Sequence, residues 1–211
     1  MTAFARRPAA RRLALSLAVL LLLAALAGCA TRPAPAPSPA FADAAFQGTL
    51  KRRLTFTPYG NEQASRELIG LIALDETQLR AVLLTPFGQR LVTLVHDADG
   101  SRFVPGDIPP EALREALPVT PEWLASRLEW SLWPVAALRE AFAGSRWSIA
   151  VIEDSRVIRH DGDIVARITP ARADADDTRW LDDRQGRYRL RIAPLDAPDD
   201  APPGLQEPDN E

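Results

Sequence analysis

The sequence predicts an α+β fold: one curved antiparallel sheet with a helical insertion in its middle. Three observations predict it. Apolar residues alternate with period two in short runs between residues 49 and 104 and again between 147 and 192, with tight turns between the runs. Over residues 109–144 the apolar spacing widens to near four, as a helix requires. The runs at 66–74, 79–85 and 90–96 are apolar on both faces, so that part of the sheet needs a second covering layer. Tryptophan-rich helices from the insertion are the available cover.

Each element has its own warrant. Residues 49–57 put Leu50, Leu54 and Phe56 on one face and Lys51, Arg53 and Thr55 on the other; Arg52 interrupts the inner face and marks a rim. Tyr59-Gly60-Asn61-Glu62 turns the chain into a strand at 66–74, followed by strands at 79–85 and 90–96 around the tight turn Pro86-Phe87-Gly88. Asp97-Ala98-Asp99-Gly100 leads into a strand at 101–104. Connections this short make neighbouring strands antiparallel. Pro109 and Pro110 open a helix at 111–117. Thr120 is the expected N-cap of the next helix, with Pro121 at its first position and Leu124, Leu128 and Leu132 along one face. Pro134 breaks that helix, and a further one at 135–142 ends at Gly144. Strands follow at 147–152, 156–160 and, after the hairpin signal Asp161-Gly162, at 163–169. In that last strand Ile164, Ala166 and Ile168 face in. A short strand at 178–181 and one at 187–192 complete the sheet. In the last, Arg187, Arg189 and Arg191 form a solvated face opposite Tyr188, Leu190 and Ile192.

The flanks are of another kind. Arg6, Arg7, Arg11 and Arg12 precede the apolar run 13–26, which is shorter than the roughly twenty residues of a spanning helix. Residues 1–28 therefore read as an export signal. Its exit, Leu26-Ala27-Gly28-Cys29, resembles the lipobox of bacterial lipoproteins, which implies cleavage before Cys29 and lipidation of that residue. Ala30, where an inner-membrane retention signal has Asp, implies the outer membrane and its periplasmic face. Residues 29–45 read as a lipidated cysteine and a Pro/Ala-rich tether, 46–193 as the folded domain, and 194–211 as a disordered acidic tail. Without its four signal arginines the chain has 21 basic and 28 acidic residues, a net charge of −7 (21 − 28), which speaks against nucleic-acid binding. Cys29 is the one cysteine, so the domain has no disulfide.

The chain carries no Gly-x-Ser-x-Gly, no phosphate loop and no His-Glu-x-x-His. His96 and His160 each precede an aspartate at a strand end, but adjacent strand residues point to opposite faces, so both read as structural. Asp97-x-Asp99-Gly100 lacks the twelfth-position carboxylate of a calcium loop, which is Ile108 here, and reads as a hairpin turn. Asp174, Asp176 and Asp177 read as a solvated loop. No catalytic residue, metal site or cofactor is predicted.

Leu83-Leu84-Thr85-Pro86-Phe87-Gly88-Gln89-Arg90-Leu91, then Leu128-Glu129-Trp130-Ser131-Leu132-Trp133-Pro134 and Leu138-Arg139, resemble a proteobacterial outer-membrane lipoprotein family of unknown function. Its genes often accompany those for aryl-polyene products. The Thr-Pro-Phe-Gly turn between apolar strands is also similar to a segment of LolB. That resemblance implies a LolA/LolB-like half-barrel with the helical insertion as its lid over an acyl-binding cavity. It implies a non-enzymatic lipoprotein that binds and transfers a hydrophobic ligand: a lipoprotein acyl group, an aryl polyene or another lipid. The expected cavity lining is Leu83, Leu94, Trp123, Leu128, Trp130, Leu132 and Trp133, with Phe87 as the membrane or cargo loop. A periplasmic LolA-like carrier is the expected protein partner. The alternative is a non-catalytic scaffolding lipoprotein with a filled core.

Overall fold

In a computed structural model, the described residues are 35–170 and 177–196. Cys29, the export signal, Asp174, Asp176 and most of the acidic tail lie outside them.

The first half of the domain is a meander of β1 (Gly48–Pro58), β2 (Arg66–Leu74), β3 (Gln78–Leu84), β4 (Arg90–Asp97) and β5 (Gly100–Pro105). Three helices follow, α1 (Pro110–Ala116), α2 (Pro121–Leu132) and α3 (Val135–Phe142). A second meander is built from β6 (Trp147–Ile152), β7 (Ser155–His160), β8 (Asp163–Thr169), β9 (Arg179–Asp183) and β10 (Tyr188–Pro194). All ten strands form one open antiparallel sheet in the order β5-β4-β3-β2-β1-β10-β9-β8-β7-β6. The first and last strands pair in the middle, from Arg52 opposite Pro194 to Pro58 opposite Tyr188. The two free edges, β5 and β6, are the strands that the helices connect. That placement explains the long insertion: the chain must cross from one edge to the other, and the helices make the crossing over one face.

The inner face is set by register. Leu54, Ile72, Leu83 and Leu94 from one half and Ile158, Ile168, Leu181 and Leu190 from the other are buried in a single cluster with the helices. Burial of about eight such side chains at about 2 kcal/mol each is the principal favourable term at this layer. In α2, Thr120 caps the first turn, its hydroxyl accepting from the Trp123 amide at 3.2 Å, and Pro121 takes the first helical position. Leu124, Leu128 and Leu132 face the core, and so do Ala125, Trp130 and Ser131. With nearly every side occupied, α2 also buries Arg127 and Glu129, which forces each to find a partner within the fold.

Four details differ from the sequence reading. The helices cover the face that carries Leu83 and Leu94, not the second apolar face of the central strands. On that outer face Ile69, Leu71, Val82 and Leu84 stay half-buried, shielding one another across the ladder as Ile69–Leu84 and Leu71–Val82 pairs. Arg191 is buried, not solvated, with its guanidinium 5.5 Å from the Trp180 ring centre. Strand β9 runs Arg179–Asp183, two residues past its expected end, because Asp183 pairs with Tyr188 and is buried by α2. Residues 36–45, read as spacer, are not free: Ala36, Phe41 and Ala44 pack on the core, together with Phe46, and Pro39 is buried. Apolar anchors at Phe41 and Phe46 outweigh the surrounding Pro/Ala composition.

Candidate functional site: the groove at the helix break

Pro134 has no amide hydrogen, so the carbonyl of Trp130, four residues earlier, loses its helical partner. The chain turns extended at Trp133 (φ −81°, ψ 152°) and resumes as α3. Arg156 of β7 fills the gap, its Nη1 donating to the Trp130 carbonyl at 2.8 Å and to the Trp133 carbonyl at 2.6 Å. A guanidinium at a helix C-terminus satisfies orphan carbonyls and opposes the helix dipole. Burial, with the Arg179 charge nearby, lowers its pKa to about 10, so it remains charged at neutral pH.

Beside this junction lies a groove of about 480 Å³. Its apolar wall is Leu132, Trp133, Pro134, Val135 and Val151, with Ala45 of the N-terminal segment. Its polar side carries Arg156 and Arg179 together with Glu153 and Asp154. An apolar wall with a charged end suits an amphiphile: the chain removes hydrocarbon from water while the head keeps polar company.

Two polar clusters hold α2 against the sheet. Arg127 Nε donates to Asp183 Oδ2 at 2.6 Å, and its guanidinium lies 4.9 Å from the Trp123 ring centre and 4.4 Å from that of Trp130. Asp183 is further fixed by the Gly186 amide, which donates to Oδ1 at 2.7 Å. Burial lowers the Arg127 pKa, against the opposing pull of Asp183.

At the other cluster His96 Nε2 meets Glu129 Oε1 at 2.9 Å, and Ser101 Oγ meets His96 Nδ1 at 2.9 Å. Ser38 Oγ donates to Glu129 Oε2 at 3.3 Å and lies 3.2 Å from His96 Nε2. Burial raises the Glu129 pKa, although His96 and Ser38 pull the other way. Burial alone would lower that of His96, but the hydrogen bond and charge of Glu129, together with the Asp97 charge and a hydrogen bond at the Gly100 backbone, outweigh it and the net shift is upward. The Ser101–His96–Glu129 alignment has the outline of a nucleophile, base and orienting acid. Phe41 packs edge-on against the imidazole with ring centres 5.5 Å apart, and neither the groove at the helix break nor a second one beside Tyr59 is lined by these three residues.

Of the residues expected to line a cavity, Leu132 and Trp133 border the groove, with their side chains buried in the core. Leu83, Leu94, Leu128 and Trp130 are fully buried in the core. Trp123 is half-buried near the start of α2, 6.3 Å from the Phe56 ring centre and 6.1 Å from that of Tyr188. Phe87 is 98% exposed at the tip of the β3–β4 hairpin, where Gly88 (φ +82°) makes the tight turn. Sequence reasoning missed Glu129 as the partner of His96. The signal available was a glutamate in the middle of an apolar helix, which demands a buried partner. Val135, Val151, Arg156 and Arg179 carried no signal, because only the sheet order brings them together.

Among the described residues no helix is long and apolar enough to cross a membrane. A family model described as "Protein of unknown function (DUF3261)" matches residues 51–196, the greater part of the chain. A search of curated proteins found no match.

Proposed function

We propose, for a chain that belongs to the DUF3261 family of proteins of unknown function, that it is a LolB-like outer-membrane lipoprotein which carries a hydrophobic ligand in the groove at the helix break. The observation that carries this reading is the groove itself: about 480 Å³, walled by Trp133, Pro134, Val135 and Val151 and charged at one side. A volume of this order takes a single acyl or polyene chain. Burial of such a chain releases about 0.8 kcal/mol per methylene, so ten methylenes supply roughly 8 kcal/mol before ordering costs. The lipid on Cys29 keeps the domain at the outer membrane, on the periplasmic side. Phe87, exposed at a hairpin tip, is the side chain that enters the bilayer or meets a LolA-like donor. No covalent step and no cofactor enters this mechanism.

Native mass spectrometry tests it, applied to a soluble form lacking residues 1–29 and purified from envelope extract. The expected result is a co-purifying lipid, identified after extraction and lost in Val135→Glu or Val151→Glu. An empty protein that also takes up no fluorescent acyl probe overturns the reading. The scaffold alternative has its own support: Leu83, Leu94, Leu128 and Trp130 fill the space between sheet and helices. It predicts the empty result, together with a protein partner recovered by crosslinking at the membrane.

A further inference from the structure

The segment at residues 36–46 has an unusual way of being held. It has no strand pairing, only a short 3-10 turn over Phe41–Asp43. Its attachments converge on the second half of α2. Trp133 Nε1 donates to the Ala40 carbonyl at 2.9 Å. Ser38 reaches both members of the His96–Glu129 pair, and Phe41 covers the imidazole edge. Ala45 then forms part of the groove wall, beside Trp133. Trp133 therefore belongs to two structures at once: the residue borders the groove, its side chain buried beneath, and its indole N–H holds the segment.

We propose that residues 36–46 are a releasable strap, latched through Ser38 onto the His96–Glu129 pair, and that a hydrocarbon chain entering beside Trp133 displaces it. This rests on the groove being the ligand site. The latch is specific because of where Glu129 sits. At 1% exposure its carboxylate can draw on few donors; His96 serves one oxygen and Ser38 the other. A strap held by a few side-chain contacts, without a ladder, opens locally at lower cost than the sheet it lies on. Ligand and strap compete for the cover over the buried Trp133 and the space at Ala45, so each weakens the other, and by linkage the two effects are equal in size.

The test is hydrogen exchange on the full-length chain in detergent micelles, with palmitate as the probe. The reporters are the Asp43 and Ala44 amides, which donate to the carbonyls of Ala40 and Phe41 at 3.1 and 3.3 Å. Ser38→Ala is expected to speed exchange across 36–46 by about tenfold, to leave β2 and β3 unchanged, and to tighten palmitate binding by a similar factor. Palmitate added to the wild type is expected to speed strap exchange alone. Trp133→Phe, which keeps an aromatic side chain, though a smaller one, and removes the N–H donor to Ala40, is also expected to speed strap exchange; palmitate binding is compared only in Ser38→Ala, because Trp133 borders the groove. Strap exchange that changes only together with β2, or in neither variant, overturns the latch. If the strap responds to both substitutions but palmitate binds no form, the latch is supported and the groove reading falls.

Discussion

Arg156 donates to the carbonyl of Trp130, the carbonyl that Pro134 deprives of its helical partner. One side chain from β7 thus repairs a defect in α2, ties the sheet to the helix, and borders the groove. Arg156→Met removes the donor and strands two carbonyls. The expected cost is about 1–3 kcal/mol of unfolding free energy, read as a lower urea midpoint. An unchanged midpoint would show that water or a neighbouring donor replaces the guanidinium.

Asp183 is the carboxylate under Arg127, which lies between two tryptophan rings. Asp183→Ala leaves a buried cation without that carboxylate and is expected to cost about 3–5 kcal/mol. Arg127→Met combined with Asp183→Leu removes the buried charges altogether and should cost less than the single change. Chemical denaturation of the three variants checks the order; a double variant worse than the single one contradicts it.

Phe87 is exposed, so Phe87→Ser should shift stability by no more than about 0.5 kcal/mol. Its expected effect is on transfer: slower delivery of a fluorescent acyl probe to vesicles by the soluble form, with retention of the probe unchanged. Equal transfer rates remove Phe87 from the mechanism.

His96 faces Glu129 from α2, Ser38 from the strap and Ser101 from β5, with Asp97 beside it engaged at 2.8 Å by Arg102. Its pKa is raised in the folded state, because the pulls of Glu129, Asp97 and the Gly100 backbone together exceed the cost of burial. The stability it contributes is fully present below its ordinary value near 6.5 and is lost as pH rises through the higher folded value. Glu129, raised by burial, changes stability in the same direction, since the folded state again holds the proton more tightly. The urea midpoint should therefore fall as pH rises past the ordinary histidine value near 6.5, and fall less in His96→Gln. Parallel slopes in the two proteins would place the titration elsewhere.

Much of this architecture can be read from local chemistry. The bounds of β2, α3, β6 and β8 coincide with those expected, because each is fenced by turn or capping residues: Asp75, Pro134 and Gly144, Asp154, Gly162. The break at Pro134 and the Thr120 cap follow from backbone rules that need no tertiary information. What local chemistry could not supply was pairing at a distance. His96 looks to its neighbour Asp97 in the sequence, yet its partner is 33 positions away on α2; Arg127 finds Asp183 across 56. Both choices depend on which strand lies under which helix. The groove is hidden for the same reason, since Trp133, Val151 and Arg179 meet only after the strand order is known.

The pairing of β1 with β10 sets an order of events for a chain that appears N-terminus first. The partners Arg53 and Ala193 stand at opposite ends of the domain sequence, whereas every other neighbour in the sheet is local or bridged by the preceding hairpin. Each five-strand half can zip up from its own turns. The seam between them cannot close before residue 194 has emerged, and until then β1 exposes a bare edge of amides and carbonyls, a template for mispairing with other chains. Closure of so remote a contact is slow. A domain with this seam needs its edge shielded until the last strand arrives, and truncation at β10 alone should leave two meanders joined only through the helices and not through the sheet.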